Sequence, residues 1–221
     1  MRKPSESTKP TKSVSDATRC SILDTAWSLM ASDGRLDVGM AEVAAAAGVS
    51  RQTLFHAVGS RPGLLVAMVR HRDSQAPQMP RLVELARGDG ADLATLLEFT
   101  DTWLDYLPAI YPVAIQLEMA SISDRDVAMA WTDRFISKGL LRGFAQILGR
   151  MASRSALPPG SDPAQLADLC LALVAPSAWR LLVVDRGWSP AVFRVSRHAL
   201  MSMVMTRPPG TQRSGSAPGR R

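Results

Sequence analysis

Residues Ala41 to Leu65, AEVAAAAGVSRQTLFHAVGSRPGLL, decide how this chain folds. Val43, Ala44 and Ala47 stand at i, i+1 and i+4 and share one helical face, and Gly48 follows where a left-handed residue can end the helix. Ser50 then offers a side-chain oxygen as N-cap to a second helix. Leu54 and Val58, four apart, give that helix its inward face, with Val49 beside them. Ala44 lets the two helices cross closely, where a larger side chain would push them apart. A helix, a glycine turn and a second helix in this spacing form a helix-turn-helix pattern.

Upstream, a helix begins at about Asp16, carries Ile22, Leu23, Ala26, Trp27 and Met30 as its apolar stripe, and is expected to stop at Gly34. Gly39 stands at the N-cap of the next helix with no hydroxyl to offer. Glu42 fills the capping-box position three residues later, and Asp37 is a substitute cap. Downstream, Ser60 reads as an N-cap with Pro62 in the first turn of a helix to about Arg72, its inward residues being Leu64, Leu65, Met68 and Val69. Pro77 and Pro80 break the chain before a short helix that runs through Arg87 and stops at Gly88.

Leu93, Leu96, Leu97, Thr100, Leu104 and Leu107 recur at threes and fours, which predicts an amphipathic helix ending at Pro108. A separate helix is expected from about Ala109 to Ser121, with Ile110, Ala114 and Leu117 on one side. Ser123 is the expected cap of a long helix bearing Val127, Trp131, Phe135, Leu141, Phe144 and Leu148. SRSALPPGS, from Ser153 to Ser161, is a loop by composition. Asp162 and Pro163 with Gln165 then open a helix to about Asp185, apolar nearly all round and kinked at Pro176. Gly187 ends it, and Ser189 and Pro190 start a last helix with the stripe Val192, Val195, Ala199, Leu200 and Met203.

The chain of 221 residues is 46% hydrophobic and 21% charged, an ordinary globular composition that excludes disorder throughout. Its net charge of +6 is uneven: Lys and Arg against Asp and Glu number 9 to 6 over residues 1–70, 13 to 14 over 71–206, and 4 to 0 over 207–221. The excess lies toward the two ends, where a polyanion could meet it. Residues 1–15 form a basic arm and residues 207–221 a Pro, Gly, Ser and Arg-rich tail, neither with enough apolar surface to order itself. Cys20 and Cys170 lie far apart with no metal or CxxC spacing, which suits reduced thiols and a cytoplasmic protein. Asp168 and Arg180 interrupt the longest apolar run, leaving it short of the roughly 20 residues a bilayer span needs. No catalytic or metal-binding motif is present, so neither an enzyme nor a metal or cofactor site is expected.

AGVS at Ala47 to Ser50, Thr53-Leu54 ending in the aromatic Phe55, and Ser60-Arg61 before Leu64-Leu65 resemble the DNA-binding domain of TetR-type (TetR/AcrR) transcriptional regulators. The resemblance covers about the first 70 residues. It implies an all-α protein in which a three-helix helix-turn-helix domain, residues 16–62, precedes a helical effector-binding and dimerisation domain, residues 63–206. It further implies a homodimer through the last two helices, acting as a ligand-responsive repressor on a palindromic operator. Where the family often has Tyr and His, this chain has Phe55 and Ala57.

The DNA-contacting residues expected on this basis are Ser50, Arg51, Gln52, Thr53, Phe55, His56 and Arg61. Arg51 and Gln52 are the sequence readers: Arg can bind guanine O6 and N7, and Gln adenine N6 and N7, each with two hydrogen bonds. Thr53 and Arg61 suit phosphate, and Phe55 a thymine methyl group. For the effector, a small hydrophobic or amphipathic molecule, the expected lining is Met68, Trp103, Tyr106, Met119, Trp131 and Phe135, with Gln116 and Glu118 orienting it; Asp101 or Asp105 would favour a cation. The rival from another class is a helical small-molecule-binding or interaction protein whose DNA reader is vestigial, a reading that Gly39, Phe55 and Ala57 favour.

Overall fold

The computed structural model of the chain describes residues 14–33, 37–137 and 139–206. The tail from Arg207, the stop expected at Gly34 and nearly all of the basic arm lie outside the described residues. Helix α1 (Asp16–Asp33) starts where the Ser15 hydroxyl accepts from the Thr18 amide at 3.2 Å. α2 (Met40–Ala46) follows Gly39, whose extended backbone places it as N-cap without a side-chain hydrogen bond of its own. α3 (Arg51–Val58) and α4 (Arg61–Gln75) begin at Ser50 and Ser60, whose hydroxyls accept from the Thr53 and Gly63 amides at 3.0 and 3.2 Å. Each serine thereby satisfies an amide that the first helical turn leaves without a partner.

These four helices enclose one core. Ile22, Ala26 and Met30 of α1 meet Val43 and Ala44 of α2, Leu54 and Ala57 of α3, and Leu64, Leu65, Met68 and Val69 of α4. Ala57 is buried and Val58 only half-buried, so the inward face of α3 is centred on Leu54 and Ala57. The core runs on past residue 62, taking Val113 and Leu117 from α6 and Val127 and Ala130 from α7.

Gly63 marks the closest approach of α3 and α4. A Cβ there would stand 2.2 Å from the Val58 carbonyl oxygen, a backbone atom that cannot swing away. Gly63→Ala is therefore expected to destabilise the fold by about 1 to 3 kcal/mol through overpacking; a thermal melt superimposable on that of the parent protein would contradict this.

The second core lies among α5 (Met79–Arg87), α6 (Leu93–Ala120), α8 (Leu140–Ser153), α9 (Pro163–Val174), α10 (Pro176–Trp179) and α11 (Pro190–Thr206). The sequence reading is corrected at three points, at Pro108, around α7 and at Pro176. Pro108 does not end a helix, because α6 is continuous over 28 residues and contains both Pro108 and Pro112. The two prolines are four apart and exposed, so the hydrogen bonds they delete lie on the solvent side while Leu104, Leu107 and Ile110 remain buried opposite.

The cap before α7 (Arg125–Trp131) is Asp124 instead of Ser123, its carboxylate accepting from the Asp126 and Val127 amides at 2.9 and 3.2 Å. The expected long helix is divided as well: α7 continues as a π-helical turn, Thr132–Ser137, and α8 begins after Gly139. At the third point Pro176 breaks the chain instead of kinking it, since Ala175 before it is extended (φ −61°, ψ 151°), as a residue preceding proline prefers. α10 then passes into a second π-helical turn, Arg180–Asp185, and Gly187 turns the chain at φ +72°.

No single described helix is long and apolar enough to cross a membrane; α9 and the α10 segment reach that length and composition only as a pair, bent by 41°. The segment to Asp185, expected to be buried on several sides, and the amphipathic last helix both show apolar residues to solvent. Leu169, Leu181, Val184, Val192, Val195, Leu200 and Met203 are all exposed, Val195 at 68%. The face of α11 packed into the core is Phe193, Arg197, Met201 and Met205. The apolar stripe legible in the sequence of α11 is thus its outer face.

Candidate nucleic-acid interface

Helix α3 is held from three sides. Gly48, at φ +64°, turns the chain out of α2, and the Val49 amide donates to the Ala44 carbonyl at 3.0 Å to close the turn. Ser50 caps the helix and also shares a 2.9 Å hydrogen bond between its hydroxyl and that of Thr53. Leu54, fully buried, and Ala57 anchor the inner face. With that face fixed, the 3.6-residue period turns the intervening residues outward.

Arg51, Gln52 and His56 are exposed, Phe55 is 47% exposed and Thr53 is half-buried. Among the described residues, Arg51, Gln52 and His56 make no side-chain hydrogen bond or ion pair, so their polar groups are open to an external partner. An unsupported ring on an otherwise polar face suits contact with an apolar edge such as a thymine methyl. Ala57, by contrast, packs in the core, where a larger imidazole would not fit without rearrangement.

Arg61 departs from the expected phosphate clamp. Its Nη1 donates to Asp124 Oδ2 at 2.9 Å and lies 3.6 Å from Asp126 Oδ2, so its charge joins the start of α4 to the start of α7. Burial pushes the Asp124 carboxyl up, but the Val127 amide, the Arg61 guanidinium and the Asp126 amide outweigh it and hold the group below the usual carboxylate value. Asp124 thus serves two helices at once, as cap of α7 and counter-ion to α4.

The residues expected to line one effector pocket are dispersed. Met68 belongs to the first core, and Met119 is 50% exposed. Gln116 Nε2 donates to the Met30 carbonyl at 3.1 Å, and Glu118 accepts from the Ser177 amide and hydroxyl at 2.8 and 2.6 Å, so both are structural links. Trp131 stacks on Phe135 with centroids 4.0 Å apart, and these two with Glu118 line an open hollow of about 390 Å³ beside α9. Trp103, fully buried, lines a different cavity of about 200 Å³ between α5, α6 and α8. Arg194 already pairs with both Asp101 and Asp105, and His198 Nε2 lies 2.7 Å from Asp101 Oδ1.

Periodicity alone could not locate the charged residues around the Trp103 cavity. Asp73 accepts from Tyr106 Oη at 2.8 Å and from Arg134 Nη2 at 2.9 Å, and the Arg134 guanidinium lies over the Phe135 and Trp103 rings at 5.2 and 5.8 Å. Arg70 of α4 makes a two-pronged bond to Asp133 in the π turn, its shortest distance being 2.7 Å. One signal was present: Gly143, inside an amphipathic helix, marks a close approach. A Cβ there would lie 2.3 Å from the Phe99 ring.

Residues 22–68, from α1 into α4, match the bacterial regulatory proteins of the tetR family. No curated protein sequence matches the chain with significance. Among solved structures, a TetR-family transcriptional regulator from Mesorhizobium loti is 17% identical, over 89% of this chain and 98% of its own, with a TM-score of 0.60. NalD of Pseudomonas aeruginosa, the secondary repressor of the MexAB-OprM multidrug efflux pump, is 20% identical over 88% of this chain and 98% of its own, with a TM-score of 0.60. Reduced NemR of E. coli is 20% identical over 87% and 100%, with a TM-score of 0.58. Beyond α4 these likenesses are of fold.

Proposed function

We propose, for a chain that opens with a tetR-family domain and has the all-helical fold of TetR/AcrR regulators, that it is a homodimeric repressor that releases its operator when a small molecule binds the second domain. The observation that carries the DNA-reading part is the set of uncommitted polar groups on α3, Arg51, Gln52 and His56, on a helix capped and packed so that they face outward. Arg51 and Gln52 read base edges; Ser50 and Thr53 position the backbone, Phe55 meets a thymine methyl, and His56 lies at the edge of the contact. Arg61 reaches phosphate only if its bond to Asp124 opens. Repression follows from occupancy and requires no catalytic group.

Dimerisation is supported by the exposed apolar residues of α9 to α11, because Leu181 at 56%, Val195 at 68% and Met203 at 57% exposure are costly in water on adjoining helices. Two such helical hairpins facing each other form a four-helix bundle and set two α3 helices on one duplex. Sedimentation equilibrium tests this. The parent protein is expected at twice the chain mass, and Val195→Glu at the single mass with at least tenfold weaker DNA binding. A parent protein that is monomeric and binds DNA equally well would overturn the reading.

A further inference from the structure

The cavity of about 200 Å³ between α5, α6 and α8 has apolar walls beside the largely buried Asp73–Arg134 pair, and exposed arginines at its mouth. Leu82, Phe99, Trp103 and Leu140 are buried in its walls. An apolar cavity of about 150 Å³ accommodates a benzene ring, so this one has room for a ring or short chain with part of a headgroup. Its lining contains four arginines and two aspartates. Arg70 is engaged by Asp133 and Arg134 by Asp73, and these pairs cancel. Arg87 and Arg142 remain: both are exposed, and among the described residues neither has a hydrogen bond or ion pair.

Local electrostatics accounts for only one of the two. Arg87 lies in the last turn of α5, where the helix dipole favours a cation. Arg142 lies in the first turn of α8, where the dipole disfavours one. Its charge has no counterpart in its own helix, yet it shares a cavity mouth with Arg87. A cationic ligand would be repelled there, and a neutral one would gain nothing from the two guanidinium groups.

We propose that this cavity binds an organic monoanion with a small apolar body, its acidic group held by Arg87 and Arg142 and its body against Phe99 and Trp103. The consequence for DNA rests on the ligand-responsive reading above. Arg70 belongs to α4 and Asp133 to the π turn, so an anion at the mouth competes with Asp133 for Arg70 and loosens a tie between α4 and the second domain. Differential binding to the tied and untied states is what shifts the reader.

Calorimetric titration of the full chain with phenylacetate and octanoate, against 2-phenylethanol, 1-octanol, 2-phenylethylamine and octylamine, tests the site without DNA. The carboxylates are expected to bind at least tenfold more tightly than the alcohols or amines. The double variant Arg87→Gln/Arg142→Gln is expected to lose that preference while keeping its melting temperature and its alcohol binding. Equal binding of the three charge types, no binding of either carboxylate, or a preference that survives in the double variant overturns the site and leaves the regulator reading standing. DNA binding measured in parallel separates the two: carboxylate binding that leaves duplex affinity unchanged overturns the ligand-responsive reading while the site stands. In Asp133→Asn, carboxylate binding is expected to persist and the DNA response to shrink.

Discussion

Replacing Arg51 and Gln52 together by Ala is expected to reduce affinity for the operator to that for unrelated duplex DNA. Each bidentate base contact contributes about 1 to 3 kcal/mol of discrimination, and a dimer repeats both contacts in its two half-sites. Their combined loss covers the factor of roughly a thousand or more that separates specific from non-specific binding. The fold has no stake in either side chain, because both are exposed and bonded to nothing among the described residues. The melting temperature should therefore stay within a degree or so of the parent. Fluorescence anisotropy with operator and scrambled duplexes reads the difference directly. A double variant that still prefers the operator would move sequence reading away from the start of α3.

Asp73→Ala is expected to destabilise the fold by about 3 to 5 kcal/mol, because it leaves the Arg134 guanidinium buried without its counter-ion. Arg134 is 8% exposed and lies over two aromatic rings. The pair itself is an expensive one. Burial pushes the Asp73 carboxyl up, and the pull of Arg134 and the Tyr106 hydroxyl does not fully offset it. A carboxyl held above its unfolded value of 3.8 gives a contribution to stability that is complete below that value and is lost as pH rises through the folded one. At neutral pH the charged carboxylate therefore stabilises the fold less than the protonated group would. It follows that Asp73→Leu/Arg134→Met should regain most of the stability that Asp73→Ala loses, as buried pairs replaced by apolar groups of similar size often do. Urea denaturation of the three proteins would show it; equal losses in the single and double variants would contradict the account.

The reader was legible in the sequence because its determinants are local. Ser50 and Ser60 cap helices within three residues of themselves, and Gly48 supplies a positive φ that its neighbours could not adopt cheaply. The helices beyond α4 were less legible because their determinants are distant. Pro108 read as a breaker, yet packing along the opposite face of α6 carries the helix through it and through Pro112. The division of the expected long helix at the π turn depends on Asp133 and Arg134 bonding to Arg70 and Asp73, residues some 60 positions earlier in the chain. The large side chains expected around one pocket are divided: Trp131 and Phe135 line one hollow and Trp103 another cavity. Met68 fills the first core, and Tyr106 and Gln116 hold helices together; the guanidinium groups that surround the enclosed space follow no periodic pattern.

Selection of bound duplexes from a randomised DNA pool by the purified protein, at near-physiological salt and without added ligand, tests most directly whether this chain reads DNA as a dimer. The account predicts enrichment of a palindrome whose half-sites contain a guanine and an adenine at neighbouring positions, changed in the pools recovered with Arg51→Ala and Gln52→Ala. A pool that stays random at both low and physiological salt would contradict it and leave the helix-turn-helix as a vestigial reader on a small-molecule-binding protein.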